Sequence, residues 1–193
     1  AAALCVVSLP QPGVAQDSPA PDTAGKATEG LPLEPGRRLD YTATEGSWMS
    51  VDVSPDGSSL VFDLLGDLYT LPVEGGQASP LMTGPAFEAQ PRFSPDGSEI
   101  VFVSDRSGGQ NLWVLSVDGS DTTQITQGND RLYTSPEWSP DGTYIVASRT
   151  YSPLGGAAKP WMFHRDGGSG IALVEEPATL KLIGPAFEPD GRY

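Results

Sequence analysis

Apolar positions along this chain come in short clusters broken by turn residues, and the clusters repeat in the same order. Alternating apolar positions come first: Val51 and Val53, then Pro91 and Phe93, then Pro136 and Trp138, with the adjacent Ala186 and Phe187 in a last copy. A continuous apolar run follows each of the first three, Leu60-Val61-Phe62, Ile100-Val101-Phe102 and Ile145-Val146-Ala147, as expected of strands covered on both faces. A third cluster holds Leu68-Tyr69, Leu112-Trp113 and Pro160-Trp161, and a fourth brings in Leu81, Ile125 and Leu173. Each unit thus predicts four short strands, termed A to D below.

The punctuation repeats as strictly as the clusters. Ser54-Pro55-Asp56-Gly57 returns as Ser94-Pro95-Asp96-Gly97, as Ser139-Pro140-Asp141-Gly142 and as Glu188-Pro189-Asp190-Gly191, at spacings of 40, 45 and 49 residues. Proline fixes φ for a tight turn, aspartate can accept from nearby backbone N–H groups, and glycine takes the positive φ that closes a hairpin. One carboxylate per turn, some forty residues apart, forms no paired acid–base or calcium site, so Asp56, Asp96 and Asp141 with Gly57, Gly97 and Gly142 are read as structural turns. Glu74-Gly75-Gly76, Asp118-Gly119 and Asp166-Gly167-Gly168 supply a second hairpin turn between strands C and D. A period in the forties built from four short strands predicts an all-β fold, a β-propeller of four-stranded antiparallel blades. Three complete blades are expected at about 47–84, 87–128 and 134–175, with a fourth beginning near Gly184 and cut at Tyr193.

Composition fits this plan. The 193 residues include 23 Gly and 19 Pro but only 19% charged residues, a balance that favours turns over long surface helices. The formal charge of −14 would repel phosphate backbones, so no nucleic-acid partner is expected, and the charge reads as solubility outside the cytoplasm. Ala1 to Leu9 is too short an apolar run to span a bilayer, and Gly13-Val14-Ala15 resembles a small-residue cleavage site, so residues 1–15 read as the remnant of a signal peptide. Residues 16–37, rich in Pro, Ala, Gly, Asp, Thr and Glu, read as a disordered leader, and 38–193 as a partial propeller. Export to the periplasm or the medium follows. Cys5 is the single cysteine and lies in the segment that would be removed, which leaves no internal disulfide or thiolate metal site; Leu4 before it argues against lipidation.

No self-sufficient catalytic site is expected. An imidazole-type metal centre needs two or three histidines and this chain has His164 alone; Gly167-Gly168-Ser169-Gly170-Ile171 lacks the last glycine of a nucleophile elbow and is a turn. No metal or cofactor site is therefore assigned within the chain. In an antiparallel A-B-C-D blade the A–B and C–D turns share one rim, so the B–C loops and D–A connections share the other. The B–C loops lengthen from Leu65-Gly66, through Asp105 to Gln110, to Thr150 to Lys159, and long loops on one face commonly carry function. Arg106, Arg131, Arg149 and Tyr151 fall on that face and are the candidate binding residues for an acidic ligand or chain terminus, their alternative being solvated loop residues. Trp113, Trp138 and Trp161, at repeating positions, are assigned to packing between blades rather than to a ligand platform. The stretch Leu39 to Thr42 alternates like a strand with nothing upstream to pair with. It is expected to supply strand D of a closing blade beyond Tyr193, so that the chain alone would present open edges and aggregate.

The segments Pro91 to Val114 and Pro136 to Arg149 resemble the TolB-like, WD-repeat-like propellers, which also precede the catalytic domains of tricorn-type and prolyl-oligopeptidase-type proteases. The stretch Thr44 to Gly76 resembles the start of secreted bacterial proteins in which such a propeller precedes an amidohydrolase domain. That resemblance implies C–N bond hydrolysis by a downstream domain holding a divalent metal such as zinc, with the propeller giving substrate access or binding a protein, peptide or small-molecule ligand at its face. The alternatives are a stand-alone periplasmic TolB-like scaffold, or the propeller of a tricorn-type or prolyl-oligopeptidase-type protease. TolB itself usually carries a small α/β domain before its propeller, where this chain has only a short leader.

Overall fold

The turn is the unit from which each sheet grows. In the first, Ser54 Oγ donates to Asp56 Oδ1 at 2.6 Å, Ser58 N–H donates to the same oxygen at 3.0 Å, and Ser59 N–H donates to Ser54 Oγ at 2.9 Å. Gly57 N–H returns to the Ser54 carbonyl at 2.8 Å, with Gly57 at φ 71°. Ser94/Asp96/Ser98/Glu99 and Ser139/Asp141/Thr143/Tyr144 make the same bonds, so the recurring sequence is a recurring hairpin, closed by a residue in the left-handed region that glycine enters without cost.

The computed structural model describes residues 42–151, 156–177 and 179–188. They form twelve strands in three antiparallel sheets. The first sheet is β1 (Val51–Val53), β2 (Ser59–Leu64), β3 (Asp67–Pro72) and β4 (Ser79–Met82). The second is β5 (Glu88–Phe93), β6 (Glu99–Ser104), β7 (Asn111–Ser116) and β8 (Thr122–Gln124). The third is β9 (Arg131–Trp138), β10 (Tyr144–Tyr151), β11 (Lys159–His164) and β12 (Ile171–Ala172). Each sheet pairs its strands in chain order, the arrangement of a propeller blade. Strand A of the third sheet starts at Arg131, ahead of the expected 134, because the bulge around Ser135 and Pro136 breaks the alternation while pairing continues to Arg131 opposite Tyr151. Among 179–188 no strand is assigned, so the pair Ala186 and Phe187 expected in a fourth strand A is not in a ladder. Residues 1–37, expected to hold a signal remnant and a leader, Leu39 to Tyr41 of the expected closing strand and the fourth Pro-Asp-Gly turn lie outside the described residues, and Thr42 is not in a strand.

The sheets pack face to face in sequence order. Ile100 of β6 meets Val61 and Phe93, while Phe102 and Leu115 join Leu68 of the first sheet, with Leu81, Met82 and Trp113 packed alongside. On the opposite face Val101, Val103, Leu112 and Val114 form one cluster with Tyr133, Trp138, Ile145, Ala147 and Phe163 of the third sheet, and Trp161 packs against it. The three tryptophans thus pack in the seams between blades. The turns follow the same order: a Cβ added at Gly97 would stand 3.3 Å from Pro55 Cδ, and one at Gly142 3.8 Å from Pro95 Cδ.

Candidate functional site

The two rims differ in chemistry. On the A–B rim a cleft of about 590 Å³ lies between the first two turns, lined among others by Asp56, Ser58, Thr70, Asp96 and Val117. Its carboxylates already accept from their own turns. The bonds from Ser94 and Ser98 hold Asp96 at about 2, below the usual carboxylate range, and those from Ser54 and Ser58 lower Asp56 likewise. Groups so satisfied are anchored anions, not proton carriers. Asp118, in the second C–D turn, is held at about 2 by Ser120.

The opposite rim carries the four candidate binding residues, and the structure gives them separate tasks. Arg106 turns inward: its Nη2 donates to Glu88 Oε1 at 2.6 Å, and its guanidinium stands 5.3 Å from the Trp113 ring and 5.6 Å from that of Phe102. Glu88 is only 2% exposed, and burial pushes its carboxyl upward against the pull of Arg106. Arg131 opens β9 and pairs with Asp130. Arg149 stands over Trp161, with Cζ 3.9 Å from the ring centroid. Tyr151 ends β10 opposite Arg131, and its side chain lies outside the described residues.

Register brings three cations together. Arg149 is the Cα partner of both Tyr133 and Lys159, and Tyr151 that of Arg131. Directly opposed residues and residues two apart share a face, so Arg149 and Lys159 lie in one row with Tyr133, beside Trp161, and Arg131 lies on the same face two residues along its strand, opposite Tyr151. Lys159 was not singled out in the sequence; its position two residues before Trp161 in strand C was the available signal. Lys159 Nζ donates to the Pro177 carbonyl at 2.6 Å. Arg106 does not join this row. Glu88, its partner, opens β5 ahead of the apolar pair Pro91 and Phe93, where a glutamate reads as solvated until a cation closes over it.

His164 stands apart in the C–D hairpin, exposed, with Nδ1 3.5 Å from Asp166 Oδ2 and its ring edge-on to Tyr144. Among the described residues no group of three or more His, Cys, Asp or Glu side chains is placed to hold a metal ion, and no helix is long and apolar enough to cross a membrane.

Ordered four-stranded sheets stacked edge to seam define a β-propeller. Residues 42–193 match the Tricorn protease N-terminal beta propeller domain, and the chain belongs to that family. It is 29% identical over 120 residues to the Tol-Pal system protein TolB of Wolinella succinogenes, covering 60% of this chain and 28% of that protein. It is 28% identical over 131 residues to Tricorn protease homolog 1 of Streptomyces coelicolor, covering 68% of this chain and 12% of that one. The solved structure of a putative TolB from Agrobacterium tumefaciens superposes with a TM-score of 0.65 at 26% identity, over 77% of this chain and 57% of the other. The chain therefore spans less than a third of either curated relative. These relatives support the TolB and tricorn alternatives over the amidohydrolase expectation drawn from Thr44 to Gly76: the shared feature is the blade repeat, which many hydrolases and scaffolds carry.

Proposed function

We propose that this chain is the non-catalytic propeller of an exported peptidase of the tricorn or prolyl-oligopeptidase kind, and that its B–C rim holds the carboxylate end of a peptide. One observation carries the reading: in a chain of net charge −14, three of the 11 cations stand on one face of the third sheet at that rim, with Arg149 placed over the Trp161 ring. A guanidinium held over an indole ring by cation–π attraction keeps N–H groups with which to donate to a carboxylate. The acidic remainder of the surface repels that ligand elsewhere and so favours the row. The catalytic groups, and any metal such as zinc, would belong to another part of the protein.

The similarity to a putative TolB favours a second reading, a scaffold that binds a protein partner through the same rim. Titration of short peptides against the full-length protein, followed by tryptophan fluorescence, separates the readings. A peptide with a free carboxylate is expected to bind roughly ten-fold more tightly than its amidated form, about 1.4 kcal/mol, and Arg149→Ala to abolish that difference. Equal affinities for the two peptides would remove the chain-terminus reading and leave the scaffold.

A further inference from the structure

One position in strand A leaves the ordinary β region in the second and third blades, and it has a counterpart in the segment after the third. Gln90 and Ser135 each precede the serine of their A–B turn by four residues, and both have left-handed φ, 57° and 53°. Gly184 precedes Glu188, which holds the serine place in the fourth Pro-Asp-Gly sequence, by the same interval and has φ 68°. At all three the backbone N–H donates to a side chain of the preceding blade. Gln90 N–H reaches Asp63 Oδ2 at 2.7 Å, Ser135 N–H reaches Gln90 Oε1 at 2.6 Å, and Gly184 N–H reaches Ser148 Oγ at 3.1 Å.

The acceptors are also repeat positions. Asp63 and Ser148 each follow the turn serine of their blade by nine residues. The second blade has Val103 there, which cannot accept, and the side chain of Gln90 takes over. A second bond recurs two residues earlier: Glu88 N–H donates to the Gly66 carbonyl at 2.8 Å and Leu182 N–H to the Ala158 carbonyl at 2.9 Å, Gly66 and Ala158 each standing just before strand C.

These bonds decide between two registers that the sequence offers for the segment after the third sheet. Gly184-Pro185-Ala186-Phe187-Glu188 repeats Gly84-Pro85-Ala86-Phe87-Glu88 letter for letter, which would set Gly184 in the place of Gly84. Gly84 N–H donates to Asp67 Oδ1 at 3.1 Å, an acceptor at the start of strand C. Gly184 instead takes the bond and the φ of Gln90, and Leu182 takes the bond of Glu88.

In an extended strand the amides lie in the plane of their own sheet and serve its ladder. A left-handed residue turns its N–H out of that ladder, where a side chain of the neighbouring blade can capture it; Gln90 and Ser135 are half-buried and Gly184 is exposed. We propose that this captured amide is the key by which each blade takes its register on the one before it. Asp63, Gln90 and Ser148 are the positioning residues, and Leu182 to Glu188 is the inner strand of a fourth blade seated on the third. A slip of one residue would set the captured N–H against the wrong neighbour and turn every side chain of the strand to its other face.

Residue-resolved hydrogen exchange of the full-length protein tests this. Ser148→Ala is expected to speed exchange at Gly184 and Leu182 roughly ten-fold while leaving Gln90 unchanged, and Asp63→Ala to do the reverse. Because an added Cβ at Gly184 meets nothing within 4 Å, substitutions there report on φ alone. Gly184→Asn, which tolerates the left-handed region, should keep Leu182 protected, and Gly184→Ala should not. Unchanged exchange at Gly184 in Ser148→Ala, or equal protection of Leu182 in Gly184→Asn and Gly184→Ala, would overturn the proposal.

Discussion

The first and second blades share one sequence plan and bury it differently. In β6 all of Ile100, Val101, Phe102 and Val103 are inaccessible, whereas in β2 Val61 is buried and its neighbours Leu60 and Phe62 are half-exposed. Val51 and Val53, on the same face as Phe62 and Leu60 by strand pairing, remain 56% and 50% exposed. Among the described residues the second blade has a sheet against each face, and the first has one against the face carrying Val61 and Leu68. An apolar run in strand B therefore states that both faces are built to be covered, and the neighbours decide which are. The same contrast appears in the polar contacts. Where the second blade buries Glu88 against Arg106, the first has Trp48 and Gly66 at the corresponding places.

The sharpest break between the two blades is expected at equivalent phenylalanines. Phe102→Ala should cost about 3–5 kcal/mol in chemical unfolding, as for a fully enclosed aromatic, and Phe62→Ala about 1–2 kcal/mol. Equal losses would show that the outer face of the first blade is covered as well.

Arg106→Ala should follow, at about 3 kcal/mol near neutral pH, because it leaves Glu88 ionised and buried without its cation. The pH dependence carries its own sign. Burial raises the folded-state pKa of Glu88 above the ordinary 4.5, so the folded chain holds this proton at a pH where the unfolded chain has released it. Glu88 therefore adds stability as pH falls through its folded pKa toward 4.5, and that gain is lost as pH rises. In Arg106→Ala the raised pKa rises further, so unfolding at pH 5 should recover part of the loss seen at pH 7. A loss independent of pH would mean that Arg106 acts through its packing on Trp113 and Phe102 instead.

The smallest effect is expected at the turns, where the blades are most alike. Asp96 has a folded value of about 2 against 3.8, so its contribution is present above 3.8 and is lost as pH falls through about 2. Asp96→Ala should cost no more than about 1 kcal/mol, since the turn is solvated, and Asp96→Asn should flatten the acid limb of the stability curve between pH 4 and 2. An acid limb unchanged in Asp96→Asn would place the acid sensitivity elsewhere.

The parts of this architecture that were legible in the sequence are those written in local chemistry. The Ser-Pro-Asp-Gly turn specifies its own hydrogen bonds within six residues, and the apolar run of strand B is suited to a place between layers, so sheet, strand order and the seam positions of Trp113 and Trp161 follow from pattern alone. What stayed hidden depends on residues far apart in the chain. The Glu88–Arg106 pair joins strand A to the B–C loop, and each half looks like surface charge. Arg106 and Arg149 look alike in the sequence because both follow the apolar run of strand B, yet one is drawn inward by Glu88 and the other, still within β10, stands over Trp161 at the rim. Strand ends moved for a related reason: bulges at Gln90 and Ser135 interrupt the period of two while the ladder continues past them.

The central claim is that the second sheet is a blade held between the first and the third. Methyl-labelled NMR measures that arrangement directly, through nuclear Overhauser contacts from neighbouring residues of one strand. The methyl groups of Ile100 should show contacts to Val61 and the Phe93 ring, and those of Val101 and Val103 contacts within the cluster of Tyr133, Trp138 and Ile145, with neither set crossing over. Contacts from Ile100 and Val101 to the same sheet, or contacts between Val61 and Ile145, would contradict the order of blades on which the account rests.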